Sequence, residues 1–104
     1  MNTPVSFELA KLLKEKGYPF EFITVGELKE VPLNIPTIAE VVMWLYEKHE
    51  IWVIVIPELL NGVEIRYYPS VFEQGIGEDI EVYYNSPTEA YEAAIEYCLT
   101  NLIK

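Results

Sequence analysis

Few side chains in this sequence could do chemistry. There is one histidine, His49, and one cysteine, Cys98. Ser70 has no obvious capping role, and Glu73, Glu78, Asp79 and Glu81 form an acidic run around Gly75 and Gly77. A histidine acting as general base needs a nucleophile or an orienting partner within reach. Glu47 and Glu50 are its neighbours in sequence, but no motif surrounds His49, and it falls where a helix should end. There an imidazolium complements the helix dipole, so a structural role is expected. A reactive thiol needs an electropositive setting. Cys98 lies instead on the apolar stripe of an acidic helix, and free cysteine is among the most buried residue types. With one cysteine and one histidine far apart in sequence, the usual zinc ligand set cannot be assembled.

The acidic run could hold a cation, but its spacing does not match an EF-hand loop. A solvated loop is expected there, and cation binding by residues 73–81 is left open. Ser70 lacks a visible partner, so no triad is expected. The doublets Tyr67-Tyr68 and Tyr83-Tyr84 could stack bases on a sheet. That mode needs a basic groove, and these strands offer only Arg66. A doublet in a strand puts one ring on each face. No catalytic residue, cofactor site or metal site is therefore expected.

Composition narrows the class further. The 104 residues fit one domain, residues 1–104. With 51% hydrophobic and 23% charged residues the chain reads as globular. Seventeen acids against seven bases give a net charge of −10. A field of that sign repels phosphate backbones and anionic lipid, so neither direct nucleic acid binding nor membrane binding is expected. Residues 58–104 hold nine acids against Arg66 and Lys104. One cysteine rules out an internal disulfide framework. No apolar run approaches the roughly 18 residues of a membrane span, and residues 1–20 show no signal-peptide pattern. A cytoplasmic protein is the expectation.

The elements that must position these residues are largely readable. Ser6 suits an N-cap and Gly17 a helix end, with Phe7, Leu9, Ala10, Leu12 and Leu13 between them at helical spacing. A helix over 6–16 follows. Thr37 and Glu40 fit a capping box, and Ile38, Val41, Val42 and Leu45 form the inward stripe of a helix over 37–49. Trp44 flanks that stripe. Ser86, Pro87 and Glu89 open a helix over 87–102. Strands are expected at 51–57, 63–68 and 79–84, with a fourth over 20–24. Pro57 cannot donate to a ladder and is expected to end the first strand early; residues 25–36 read as a loop, as do 69–79 with Pro69, Gly75 and Gly77. The fold class is α+β, a small antiparallel sheet of three to four strands packed against three helices.

The stretch IWVIVIPELLNGVEIRYY poses a packing problem, because Ile51–Ile56 do not alternate. Asn61-Gly62 is a strong hairpin signal. A two-residue turn places Trp52, Ile54 and Ile56 on one face with Val63, Ile65 and Tyr67, and that apolar set should meet the helices. Ile51, Val53, Val55, Arg66 and Tyr68 then share the second face. A one-residue bulge would swap the two sets. Leaving Ile51, Val53 and Val55 in water would create a contact patch, unless the first helix covers them.

Two segments, PTIAEVVMWLYEKHEIWVIVI and SPTEAYEAAIEYCLTNLI, resemble a group of short proteins of gut Bacteroides genomes, their phages and integrated mobile elements. The resemblance covers about 40 residues of core and cap positions. It implies an accessory gene product and no particular activity.

The function expected from the sequence is a non-enzymatic acidic protein–protein interaction module. Its expected contact face is Ile51, Val53, Val55, Arg66, Tyr68 and Trp44. The partner is another protein or a second copy, a homodimer in the latter case. One alternative is an acidic mimic of nucleic acid that binds a basic host protein. Another is a small-ligand binder or enzyme without a recognisable motif.

Overall fold

The computed structural model describes residues 3–20, 22–26, 29–32, 34–80 and 82–103. Three helices and a three-stranded antiparallel sheet make an α+β fold. Helix α1 spans Phe7–Glu15, and the Ser6 hydroxyl accepts the Leu9 N–H at 3.2 Å. Helix α2 spans Ile38–His49 behind a complete capping box: the Thr37 hydroxyl accepts the Glu40 N–H, and the Glu40 carboxylate accepts the Thr37 N–H. Helix α3 spans Pro87–Tyr97 with Ser86 as N-cap. The expected helix over 87–102 does not stay α throughout. Its last stretch, Cys98–Leu102, widens into a π-helical turn.

The strands depart further from expectation. Strand β1 (Phe22–Val25) pairs with β2 (Lys29–Pro32) in a separate two-stranded sheet. The strand expected at 20–24 thus joins a partner from the expected loop. In the main sheet β3 (Ile51–Leu60) pairs with β4 (Glu64–Glu73), and β4 with β5 (Ile76–Asp79). The expected loop 69–79 is therefore the end of β4, a tight turn at Gln74-Gly75, and β5. The expected strand 79–84 is reduced to its first residue and one isolated bridge, Tyr67 to Tyr84. Glu21 and Glu81, inside two of the expected strands, lie outside the described residues.

Two prolines that should have stopped strands do not, for the same reason. A residue in an antiparallel ladder turns its N–H and C=O to the same side. Tyr67 donates to the Tyr84 carbonyl at 3.0 Å and accepts from its N–H at 2.8 Å, so both its groups face away from β3. Pro57, directly opposite Tyr67, then has its backbone on the outer edge of the sheet, where a missing N–H breaks no ladder bond. Pro69 lies on the same alternation. Its carbonyl accepts the Ile80 N–H at 3.0 Å, so it supplies an acceptor where no donor is needed.

The hairpin between β3 and β4 decides which face is buried. Asn61 and Gly62 both have positive φ, 54° and 72°, and the Val63 N–H reaches the Leu60 carbonyl at 3.2 Å. Yet the ladder pairs Leu60 with Glu64. Val63 is thus one extra residue on the returning strand, a bulge, and the faces swap. Ile51, Val53 and Val55 share a face with Pro69 and Val71. Trp52, Ile54, Ile56 and Glu58 share the other with Arg66, Tyr68, Ser70 and Phe72.

The first of these faces meets the helices. Ile51 and Val53 are 2% exposed, in one cluster with Leu13, Val41, Leu45, Val71, Ile95 and Leu99. Helices α2 and α3 lie against β3, and α3 also covers β4, while α1 packs against α3. The first helix is therefore not the layer on the sheet; the other two are. Deleting Val63 should leave Leu60 and Glu64 closing a two-residue Asn-Gly turn with the register unchanged. We expect that deletion to shift stability by no more than about 1 kcal/mol, as for other exposed sites, read from thermal melting. A lost transition would mean that the bulge itself holds the two faces in place.

Candidate functional site

The six residues expected to form one contact face are split by the structure. Ile51 and Val53 are core, and Val55, half-buried, lies on the same face. Ile51 and Val53, being buried, offer no contact surface while the chain is folded. Arg66 and Tyr68 lie on the opposite face. Trp44 belongs to neither: it is half-buried on α2, edge-on to Tyr18 at 5.1 Å and to His49 at 4.9 Å between ring centres. The bulge at Val63 is what separates these sets.

The open face of the sheet carries a different set. Trp52 and Phe72 are directly opposite on β3 and β4, with 40% and 37% of their surface exposed. Such cross-strand rings stabilise a sheet while covering its surface. Tyr46, exposed at the end of α2, stands edge-on to Trp52 at 4.9 Å and 74°. These three rings, with Glu47, Glu50, Gln74 and Gly75, line an open hollow of about 520 Å³. Glu50 caps α2 in a left-handed conformation, which turns the chain from the helix into β3 beside Trp52.

A second hollow, of about 440 Å³, lies farther along the same face between Glu58, Tyr68, Asp79 and Tyr83. The Tyr68 and Tyr83 rings meet edge-to-face at 5.7 Å. The Tyr83 hydroxyl donates to Glu58 at 3.1 Å, and the buried Ser70 hydroxyl donates to Asp79 at 2.7 Å. Half-buried Ile54 and Ile56 join the two hollows along β3. Arg66, the cation of this face among the described residues, is tied to Glu64 at 2.7 Å. The surface is thus aromatic and apolar along β3 and β4, with Glu47 and Glu50 at one end, Glu58 and the Glu64–Arg66 pair at the other, and Asp79 beside the strip on β5, level with Ile54.

Phe72 is held by a close approach. It is directly opposite Gly77 on β5, and a Cβ at Gly77 would run into its ring. Gly77→Ala should displace that ring and cost about 1–3 kcal/mol, the range for overpacking. The denaturant midpoint would show it, and an unchanged midpoint would mean the ring is free to move.

The residues first considered for chemistry are accounted for differently. Cys98 is fully buried in the core; burial, and then the nearby Glu73 charge, push its thiol up to about 12. It stays protonated near neutrality and is a poor nucleophile. Within the acidic run, Glu78 accepts a hydrogen bond from the Tyr97 hydroxyl at 3.0 Å, and Asp79 holds Ser70. Among the described residues no three of His, Cys, Asp or Glu come together as a metal site. No helix among them is long and apolar enough to cross a membrane.

Sequence reasoning missed Tyr46, Trp52 and Phe72 as a group. The one signal available was the bulge alternative. With faces swapped, Trp52 moves outward and its register partner becomes Phe72.

The fold and this face define an α+β chain with an aromatic, acid-rimmed sheet surface. The chain matches no family model, no curated protein and no solved structure.

Proposed function

We propose that this chain is a non-enzymatic protein-interaction module that docks a basic partner protein on the open face of its sheet. The observation that carries the reading is the exposed Trp52–Phe72 pair with carboxylates around it, Glu47 and Glu50 at one hollow and Glu58 and Asp79 at the other. Exposed aromatic rings are enriched at protein interfaces, where they supply rigid contact area. The charge distribution selects the partner. A net charge of −10 steers a cationic surface toward this one and repels an anionic one.

The same charge disfavours self-association through this face. A twofold pairing through this face would set the acidic residues of one copy, Glu47, Glu50, Glu58 and Asp79, against those of the other. The nucleic-acid-mimic alternative asks for an extended bare array of carboxylates. Here Glu47 and Glu50 are separated from Glu58 by an aromatic and aliphatic strip, with Asp79 beside that strip on β5, which suits a protein surface better than a phosphate imitation.

The test is affinity capture with three baits: wild type, the double variant Trp52→Ala with Phe72→Ala, and Val63→Ala at the hairpin tip. Basic proteins retained by wild type and Val63→Ala but lost from the double variant support the reading. Retention that the double variant does not change overturns it, as does retention of acidic proteins alone.

A further inference from the structure

We infer that the hollow of Tyr46, Trp52 and Phe72 is a subsite for one arginine or lysine side chain of an extended segment lying along β3. A second cation of the same segment sits at the Tyr68–Tyr83 hollow. This deepens the docking reading above and rests on it.

The first hollow has what a cation requires. Three rings line it, Tyr46 and Trp52 edge-to-face at 4.9 Å, and each of the three keeps more than a third of its surface exposed. A cation over the face of such rings is attracted by their quadrupoles, tryptophan being the strongest of the three. Glu47 and Glu50 supply formal charge at the rim. Helix α2 ends at His49, so its negative dipole end is close to the hollow. Lys48, in the last turn, lines a neighbouring depression with Tyr18 and Trp44 that shares Glu47 with this one, and among the described residues no basic side chain lines the hollow of Trp52.

The second hollow repeats the pattern with other residues. Two rings in contact, Tyr68 and Tyr83, stand between two carboxylates, Glu58 and Asp79. Both carboxylates already accept a hydroxyl proton, from Tyr83 and Ser70. An ionised carboxylate has lone pairs beyond one such bond, so each can still face a cation.

The spacing fixes the ligand. Trp52 and Glu58 are on the same face of one strand, and six residues at about 3.3 Å each put them roughly 20 Å apart. Tyr68 is opposite Ile56, four residues along from Trp52, so an extended segment of the same rise carries its two cations about four to six residues apart. Between them, Ile54 and Ile56 are half-buried and flat enough for backbone and small side chains. An arginine fits better than a lysine, because its planar guanidinium both stacks on a ring and reaches a carboxylate.

The test uses the capped peptide Arg-Gly-Ser-Gly-Ser-Gly-Arg and its analogue with both arginines replaced by citrulline, which keeps the shape and removes the charge. Binding is read from Trp52 emission in the Trp44→Phe background, which leaves one tryptophan. The charged peptide should bind at least tenfold more tightly than the citrulline peptide. Phe72→Ala should cost about tenfold or more. Glu50→Gln should cost several-fold and flatten the dependence on salt. A peptide with the two arginines adjacent should bind more weakly than the spaced one.

Equal affinity for the arginine and citrulline peptides overturns the inference, and so does a Phe72→Ala variant that binds as well as its parent. If either happens while face-dependent capture of basic proteins persists, the subsite fails and the docking reading stands. If capture is also independent of Trp52 and Phe72, both fall. A wild-type dimer in sedimentation that Trp52→Ala converts to monomer assigns the face to a second copy and overturns the inference as well.

Discussion

Val53→Glu is expected to unfold the protein, while Trp52→Glu, one residue earlier, is expected to leave it folded. Val53 is 2% exposed, opposite Val71 and inside the cluster that includes Leu45 and Ile95. Among the described residues no buried basic side chain could pair with a carboxylate there. An unpaired buried carboxylate costs several kcal/mol even when it takes up a proton to avoid the charge. The lost valine packing adds to that. A domain of this size has a total stability of about 5–15 kcal/mol, so the substitution removes most or all of it.

Trp52 has 40% of its surface in water. A carboxylate there stays solvated, and losing the ring contacts with Tyr46 and Phe72 costs about 1–2 kcal/mol. Circular dichroism and thermal melting distinguish the two variants directly. A cooperative melt for Val53→Glu near the wild-type temperature would show that the faces of β3 are assigned the wrong way round. Unfolding of Trp52→Glu would show the same.

That pair of adjacent residues also shows what the sequence could and could not reveal. The helices were readable because their boundaries are local chemistry. Ser6, the Thr37–Glu40 box and Ser86-Pro87 act on backbone groups within one turn. The fold class followed from those helices and the Asn-Gly hairpin. The faces of the hairpin did not follow, because they depend on whether Val63 is counted in the turn or in the ladder. Both options satisfy Asn61 and Gly62 equally. Only the fit of Ile51, Val53 and Val71 against α2 and α3 decides between them, and that is tertiary packing.

Proline was the other source of error. Pro57 and Pro69 read as stops. Whether a proline interrupts a ladder depends on which way its nitrogen points, and this is set by the register of a neighbour. Missing β5 followed from misreading Pro69. With it went Phe72, whose place over Gly77 exists only when β4 runs on to Glu73. The candidate surface was therefore the least legible part of the molecule, since each of its residues depends on a register choice made elsewhere.

Raising the pH from about 9 to 12 is expected to remove stability on the order of 4 kcal/mol through Cys98 alone. Its thiol is pushed from 9.0 up to about 12, first by burial and then by the Glu73 charge. The folded chain keeps this proton across that interval, while the unfolded chain releases it near 9. Unfolding then sheds a proton, so stability falls as pH rises. Below about 9 both states hold the proton and the contribution is intact. Each pH unit in the interval is worth about 1.4 kcal/mol. Tyr97, raised chiefly by its hydrogen bond to Glu78, and Tyr18, raised chiefly by burial, act in the same direction above pH 10. The interval from 9 to 10 therefore isolates the thiol. Urea midpoints measured across it should fall for wild type and stay flatter for Cys98→Ala, whose smaller side chain lowers stability at every pH but has nothing to ionise. Parallel slopes for the two proteins would place the thiol in contact with water. The same burial sets its reactivity. A thiol reagent at about pH 8 should modify Cys98 only as fast as the α3 core opens, so stabilising the fold should slow the labelling in proportion.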